Sequence, residues 1–316
     1  MKPAPFTHHA PRTVEEAVAV LGEVGHEGKV LAGGQSLVPI LNMRLASPAH
    51  LVDVNRVVGL DEVTVSDDEV RVGALARQAS VEHHPGTYAA LPLLRQSLAF
   101  VAHPVIRNRG TVVGSLAHAD PAGELPAVLA LTGGVVEVAS ARGPREVGAA
   151  DLFLGPLETS LEPDELAVAV RFQRFAAGTG TAFVERARRH GDYALAGAAA
   201  AVTLADGVVT GARLSLVSVT DVPVALDVTE LFAGREPAAV DWSDCTDAVR
   251  QHADPVTDIH ATAEYRSVLA VELARRALAT AAAAAVAELT RADVQPAPAV
   301  GASTDHLPGS APGGAA

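Results

Sequence analysis

Apolar residues in the first 56 positions follow a helical spacing and then a strand spacing. Over residues 14–21 they recur every three or four positions, as on one face of a helix. Thr13 and Glu16 stand at the positions of a capping box, which predicts that this helix begins at residue 14. Short apolar runs at 29–31 and 51–54 predict two strands.

Strand patterns dominate the middle of the chain. Residues 69–72 alternate in polarity, and the runs 134–138 and 145–147 predict a hairpin. A further strand is expected at 166–172, and the apolar spacing of 91–101 favours a helix. These patterns predict an α+β fold.

The last third of the chain predicts a hairpin followed by helices. Residues 198–204 and 208–218 are strand candidates joined at Asp206-Gly207, a dipeptide typical of tight hairpin turns. A weak helical pattern covers 238–253, and a long one covers 261–289.

A run of small residues at 175–180 predicts the main domain boundary. It separates a helix–strand–loop–strand unit (1–56) and a strand-rich unit (57–175) from a C-terminal domain (176–290). The remaining segment, 291–316, is rich in Pro, Gly, Ala and Ser, a composition typical of a disordered tail.

Composition and charge exclude several classes of protein. The chain has 316 residues and a formal net charge of −13, which argues against a nucleic-acid binder because such proteins depend on Lys and Arg. Its one cysteine, Cys245, leaves no disulfide framework, cysteine zinc site or iron–sulfur cluster within the chain, and it fits a reducing cytoplasm. No apolar run reaches the ~20 residues of a membrane span.

Two glycine-containing segments are candidate binding loops. The first, 32–37, follows a predicted strand, and its successive N–H groups could form a concave anion site; a tight turn without ligand explains it equally well. The second, 103–126, places many polar residues between apolar ones, and a polar cofactor would give them partners. The alternative there is a loop whose side chains bond its own backbone, which would account for Asn108 and Asp120.

The two loops, in this order, resemble those of the FAD-binding medium subunit of molybdenum hydroxylases, the group of carbon monoxide dehydrogenase and xanthine dehydrogenase. Residues 32–36 read Ala-Gly-Gly-Gln-Ser, similar to the family's first flavin loop. Residues 106–115 resemble its second, Ile-Arg-Asn-Arg-Gly-Thr-(Val/Ile)-Gly-Gly-(Ser/Asp/Asn), except at Val113. Residues 117–126 and 188–194 also look like the family, and the resemblance extends over about 1–286.

The resemblance implies a fold and a set of FAD contacts. The fold would be a two-subdomain FAD-binding domain of the vanillyl-alcohol-oxidase-like (PCMH) type, with subdomains 1–56 and 57–175, followed by a C-terminal antiparallel sheet-and-helix domain like that of the carbon monoxide dehydrogenase flavoprotein. Backbone N–H groups, not Lys or Arg, would hold the diphosphate. The expected cofactor-binding residues are Ala32, Gly33, Gly34, Gln35, Ser36, Leu37, Thr111, Gly114, Ser115, His118, Asp120, Glu124, Leu161 and Tyr193.

Within this set the resemblance implies distinct roles. The first loop together with Thr111, Gly114 and Ser115 would surround the diphosphate. His118, Asp120 and Glu124 would lie along the ribityl and adenosine parts. Leu161 would pack on the adenine or flavin ring, and Tyr193 would sit near the isoalloxazine. No catalytic or metal-binding residue is expected.

Two features leave alternatives open. At Val113 a Cβ could forbid a positive φ and weaken flavin binding, or the turn never needed glycine there. His118 and Asp120, two positions apart, would share one face of an extended segment and could serve as a general base, but no Ser or Cys nucleophile motif accompanies them.

The expected function is that of a cytoplasmic electron-transfer subunit. A partner with two [2Fe–2S] clusters would deliver electrons that a large molybdenum-cofactor subunit takes from substrate, and FAD in this chain would pass them to an acceptor. The resemblance implies an assembly of two heterotrimers, a heterohexamer. The alternatives are a cofactor-free scaffold subunit and a stand-alone FAD oxidoreductase.

Overall fold

A computed structural model describes residues 2–294, with side chains to 290. The first 56 residues contain a three-stranded parallel sheet in the order β1-β3-β2. Its elements are β1 (Thr7–His9), α1 (Val14–Val24), β2 (Gly28–Leu31), α2 (Leu37–Asn42) and β3 (His50–Asp53). The predicted start of α1 is confirmed, because the Thr13 hydroxyl accepts a hydrogen bond from the Glu16 N–H at 3.2 Å. The Glu16 carboxylate accepts a hydrogen bond from the Arg12 N–H at 2.7 Å. In a capping box it would accept from the N–H of the N-cap residue, Thr13, so the bond is shifted by one residue.

The second unit is built on a five-stranded antiparallel sheet, in the order β4-β5-β10-β6-β7. Its elements are β4 (Val63–Val65), β5 (Glu69–Gly73), α3 (Gln78–His83), α4 (Pro85–Ala90), α5 (Pro92–Leu98), α6 (Pro104–Arg107), α7 (Val112–His118), α8 (Glu124–Thr132), β6 (Val135–Ala139), β7 (Arg145–Gly148), α9 (Ala149–Leu152), β8 (Phe153–Gly155), β9 (Glu158–Thr159) and β10 (Leu166–Gln173). The predicted hairpin and the predicted strands of this unit are confirmed.

The C-terminal unit is a four-stranded antiparallel sheet, covered by a long helix that packs on β11 and β12. Its elements are β11 (Thr179–Ala187), β12 (Ala194–Ala205), β13 (Val208–Val217), β14 (Leu226–Asp227), α10 (Thr246–His252) and α11 (Ala263–Val294). The turn between β12 and β13 has positive φ at Asp206 (52°) and Gly207 (78°), as the predicted tight turn requires.

The helix α11 continues to Val294, so the first four residues of the expected tail are helical. The rest of that expected tail, 295–316, lies outside the described residues. In the part of the chain that is described, no helix is both long and apolar enough to cross a bilayer.

The segment 103–126 is mostly helical, which corrects the expectation of one long loop. It contains α6, α7 and the start of α8. Val113 lies inside α7 without a positive φ, and its side chain is 3% exposed in the core. The backbone at this position therefore never needed glycine, which settles the alternative that the sequence left open.

Side-chain contacts join the C-terminal unit to the second unit. The Gln96 side chain, on α5, donates to the Thr181 carbonyl at 3.1 Å and accepts from the Thr181 hydroxyl at 3.2 Å. The backbone N–H of Ser218 donates to the Pro121 carbonyl at 2.8 Å. The helix α8, whose residues 125–132 are all buried, lies against β12 and β13.

We predict that Gly180→Ala destabilises the protein by about 1–3 kcal/mol, because overpacking at a close contact costs that much. A Cβ at the buried Gly180 would overlap the α11 backbone at Ala281 and Ala285. Urea denaturation followed by circular dichroism measures the change. The control is Gly22→Ala at an exposed position of α1, where a Cβ meets open space and helix propensity should stabilise the protein by about 0.5–1 kcal/mol. Equal stability of the two variants would contradict the packing argument.

Candidate functional site

The two glycine loops touch each other through their backbones. Gly33 is buried, and a Cβ added to it would lie 2.5 Å from the Arg109 carbonyl oxygen and 2.9 Å from the Gly110 Cα. Real Cβ atoms do not approach backbone atoms that closely, so only glycine permits this contact. The structure therefore brings together two segments that lie more than 70 residues apart.

The first loop leads directly into α2. Gly34 has a φ of +74°, a conformation that favours glycine. The Val38 N–H donates to the Gly34 carbonyl at 3.0 Å, and the Gln35 side-chain amide donates to the Gly33 carbonyl at 3.0 Å. The first N–H groups of a helix have no intrahelical acceptor and carry its positive dipole end. In α2 the Val38 N–H is already bonded and Pro39 has no N–H, so the N–H groups of the loop ahead of α2 are the ones that can face an anionic group.

The second loop leads into α7 in a similar way. Thr111 caps α7, and its hydroxyl accepts from the Gly114 N–H at 3.1 Å. A Cβ at Gly114 would lie 2.5 Å from that hydroxyl oxygen, so a side chain there would displace the Thr111 hydroxyl. Because Thr111 Oγ1 already accepts this bond, the hydroxyl hydrogen remains the group that it could offer a ligand. Ser115 follows on the first turn and is half-buried.

Gln78 supports the second loop and was missed by the sequence analysis. Its side chain is 4% exposed, and its backbone N–H donates to the Gly110 carbonyl at 2.8 Å. The side-chain oxygen has no hydrogen-bond partner and would lie 2.5 Å from a Cβ at Gly110. A side chain at Gly110 would therefore clash with Gln78, just as a side chain at Gly33 would clash with the second loop.

The cradle fits a diphosphate-containing cofactor such as FAD. Two helix starts, at α2 and α7, lie beside loops in contact, and side chains at Gly33 or Gly110 would fill or distort the space. The site residues from Ala32 to Leu37, except Gly33, are half-buried, as are Gly114 and Ser115. The structure thus brings the two predicted halves of the diphosphate site together.

Three carboxylates and a tyrosine, Asp120, Glu124, Glu185 and Tyr193, interact electrostatically with one another. Asp120 accepts a hydrogen bond from the Ala122 N–H at 2.9 Å, as the self-bonded loop alternative expected. Burial, and then the nearby Asp120, raise the pKa of Glu124 to about 7. Burial raises the pKa of Glu185 to about 8, and Glu124 adds to that shift. Tyr193 is 68% exposed, yet its pKa is raised, first by desolvation of the phenol and then by Asp120 and Glu124.

Glu185 is a second residue that the sequence analysis missed. It lies on β11 opposite Gly197 of β12, and one of its carboxylate oxygens is buried without a hydrogen-bond partner. It also lines a cleft between α5 and the β11–β12 turn, together with Phe100 and His190. The sequence offered little signal, because Glu185 stands next to Arg186 and residues 179–187 were not predicted as a strand.

The structure places the remaining predicted residues, His118 and Leu161, at the end of α7 and against the core of the second unit. His118 ends α7, and Ala119 follows it in the left-handed region with a φ of +51°. The segment is therefore not extended, so the expectation that His118 and Asp120 share one face of an extended strand is wrong. Leu161 is partly buried against the core of the second unit.

Comparison with known proteins gives matches over nearly the whole described chain. Residues 4–172 match the model for the FAD binding domain in molybdopterin dehydrogenase. Residues 181–281 match the model for the CO dehydrogenase flavoprotein C-terminal domain.

Curated proteins and a solved structure are also similar. The chain is 39% identical to the 6-hydroxypseudooxynicotine dehydrogenase complex subunit alpha of Paenarthrobacter nicotinovorans, over 89% of this chain and 96% of that one. It is 35% identical to the carbon monoxide dehydrogenase medium chain of Hydrogenophaga pseudoflava, over 88% and 97%. A solved structure of the latter enzyme, lacking the Mo-pyranopterin moiety, superimposes with a TM-score of 0.85 over 91% of this chain and 99% of that one, at 35% identity.

We predict that Glu185→Gln makes the protein more stable than wild type at about pH 9, by roughly 1–3 kcal/mol, but not at about pH 4, below the ordinary pKa of a glutamate. A carboxyl whose folded-state pKa exceeds its unfolded value binds a proton more tightly when folded. Its contribution to stability is complete at low pH and falls as the pH rises toward about 8. A glutamine side chain at this position cannot ionise and therefore avoids that loss.

The measurement is urea denaturation at both pH values, with the exposed Glu288→Gln as the control. A stability difference that is the same at both pH values would contradict the assignment of a raised pKa to Glu185.

Proposed function

Because the chain belongs to the family of FAD-binding domains in molybdopterin dehydrogenases, we propose that it is the electron-transfer subunit of a molybdenum-containing hydroxylase or dehydrogenase. In this proposal it takes electrons from the [2Fe–2S] clusters of a partner subunit and passes them to an external acceptor. The chain is an oxidoreductase subunit of the FAD-containing molybdopterin dehydrogenase type.

Family membership confirms three of the sequence-based predictions. The resemblance to the medium subunit is confirmed by both matched models and by the carbon monoxide dehydrogenase relatives. The α+β fold with an FAD-binding part and a C-terminal flavoprotein domain is confirmed by the same models and by the structural match. FAD is the cofactor of this domain.

The observation that carries the proposal is the contact between Gly33 and the Arg109–Gly110 backbone. In the proposed site, N–H groups of the first loop hold the FAD diphosphate from one side. On the other side it meets the hydroxyls of Thr111 and Ser115 and the backbone of Gly114, which has no side chain to keep the diphosphate away. Bound FAD supplies an electron acceptor that takes up two electrons one at a time and can release them as a pair or singly. The protein contributes binding, orientation and electrostatics.

The flanking residues are assigned to the rest of the cofactor. His118, Asp120 and Glu124 are proposed to lie along the ribityl and adenosine parts, where carboxylates suit ribose hydroxyl donors. Leu161 is proposed to contact a ring, and Tyr193 to stand beside the isoalloxazine. The exposure of Tyr193 suits a ring edge that a redox partner must approach.

The proposed assembly contains a large molybdenum-cofactor subunit and a small [2Fe–2S] subunit, as a dimer of heterotrimers in the cytoplasm. The relatives support such an assembly, since one is called a complex subunit and another a medium chain. The segments 1–56, 57–175 and 176–290 remain our proposal for the domain boundaries.

Two alternative functions, a cofactor-free scaffold subunit and a stand-alone oxidoreductase, differ from the proposal in the cofactors and partners that they require. The scaffold alternative had only Val113 in its favour, and the buried helical position of Val113 removes that support. A stand-alone oxidoreductase would carry FAD but would need no metal-containing partner.

We predict that a complex purified through this chain from its native host contains FAD, molybdenum and iron. Gly33→Ala should lower the FAD content at least tenfold, because a Cβ there forces the two loops apart, while both metals are retained. Cofactor release with mass identification and elemental analysis give the three contents. The control variant is Gly22→Ala, in open space far from the loops.

Each competing function predicts a different result from the same preparation. Metals without FAD in the wild type would support the scaffold. FAD without metals would support the stand-alone oxidoreductase. A Gly33→Ala complex with full FAD content would contradict the assignment of the diphosphate to the two loops.

A further inference from the structure

A chain of hydrogen bonds connects the two glycine loops through Asn55 and Arg77. The Asn55 side-chain amide donates to the Ala32 carbonyl at 2.8 Å, and its oxygen accepts from the Arg77 guanidinium at 2.7 Å. A second guanidinium nitrogen of Arg77 donates to the Arg109 carbonyl at 2.8 Å. The chain thus starts at a backbone oxygen of the first loop and ends at a backbone oxygen of the second.

Asn55 is held in the orientation that this chain needs. Its backbone N–H and its side-chain amide both donate to the same Asp53 carboxylate oxygen, at 3.0 and 2.7 Å. With its amide nitrogen committed to Asp53 and Ala32, its oxygen faces Arg77. Asp53 ends β3, so the central sheet of the first unit sets the position of this end of the connection.

Arg77 is held at the other end by its own backbone. It pairs with Thr111 in an isolated antiparallel bridge, and the next residue, Gln78, donates its N–H to Gly110. Its guanidinium makes no ion pair within 4 Å of a carboxylate in the described part of the chain. Desolvation, and then the neighbouring Arg109, lower the pKa of Arg77.

The geometry requires both an amide and a guanidinium. The contact at Gly33 stops the loops from approaching further, but a van der Waals contact does not stop them from separating. The hydrogen-bonded chain resists separation. A planar guanidinium can bond Asn55 and Arg109 at once with fixed geometry, whereas a lysine ammonium is a flexible point charge.

We propose that Asn55 and Arg77 are positioning residues, which hold the two loops at the separation that the FAD diphosphate requires and thereby set the affinity for FAD. They act through the carbonyls of Ala32 and Arg109, which orient the N–H groups of both loops. This inference rests on the proposed function, in which FAD spans the two loops.

The test compares FAD binding by the apo forms of Asn55→Ala, Arg77→Met, Arg77→Lys and the double variant Asn55→Ala/Arg77→Met. Each single change should raise the FAD dissociation constant about tenfold or more, the scale expected for loss of hydrogen bonds to a charged group. The double variant should bind FAD about as tightly as the weaker-binding single variant, because both changes break the same series of hydrogen bonds. Flavin fluorescence titration measures the affinity.

Two further readouts separate positioning from general destabilisation. Hydrogen exchange of the apo proteins should be faster at 32–37 and 109–115 in the variants, and unchanged in α11. The control is Arg56→Met, an exposed arginine on the same turn as Asn55, which should bind FAD like the wild type.

The possible results are distinguishable. A wild-type apo chain that binds no FAD would overturn the proposed function itself. Wild-type FAD affinity in Arg77→Met and Asn55→Ala would overturn only the positioning role. Wild-type FAD affinity in Arg77→Lys, together with reduced affinity in Arg77→Met, would show that Arg77 acts by its charge alone. That result would also overturn the positioning role.

Discussion

The rest of the site depends on one steric constraint, the contact of Gly33 with the backbone of Arg109 and Gly110. It fixes how closely two loops from different units can approach, and it leaves no space for a side chain at Gly33. The parallel sheet of the first unit carries one loop. The second unit carries the other, on the short helices that begin after Gly110. A cradle therefore forms between the two units, and neither unit could build it alone.

The electrostatics of the site are those of an acidic protein that holds an anion. The net charge of −13 would repel a diphosphate at long range, so attraction has to be local. Helix starts and loop N–H groups provide it without side-chain charge, as the sequence analysis expected. The structure adds Arg77, whose guanidinium stands between the loops. Glu124 and Glu185 have raised pKa values, which reduces the negative charge that these two carboxyls carry near neutral pH.

Sequence patterns predicted most of the fold because the information was local. Alternation and turn chemistry identified the hairpin at Asp206-Gly207, and the two loop motifs predicted the two segments that the structure brings into contact. The helix α7 was missed because Val112, Val113 and Gly114 are weak helix formers. It forms because Thr111 caps it and the core buries Val113. Asn55 and Arg77 were missed because their contacts span 22 to 32 residues along the chain. No local pattern reports such partners.

The most direct measurement is a titration of the apo chain with FAD and, separately, with riboflavin, which has the same ring system but no phosphate. If the two loops bind the diphosphate, FAD should bind at least a hundredfold more tightly than riboflavin, a difference of about 2.7 kcal/mol at 25 °C. Equal affinities for the two ligands would mean that the ring alone is recognised, and would contradict a diphosphate site at the contact of Gly33 with Gly110.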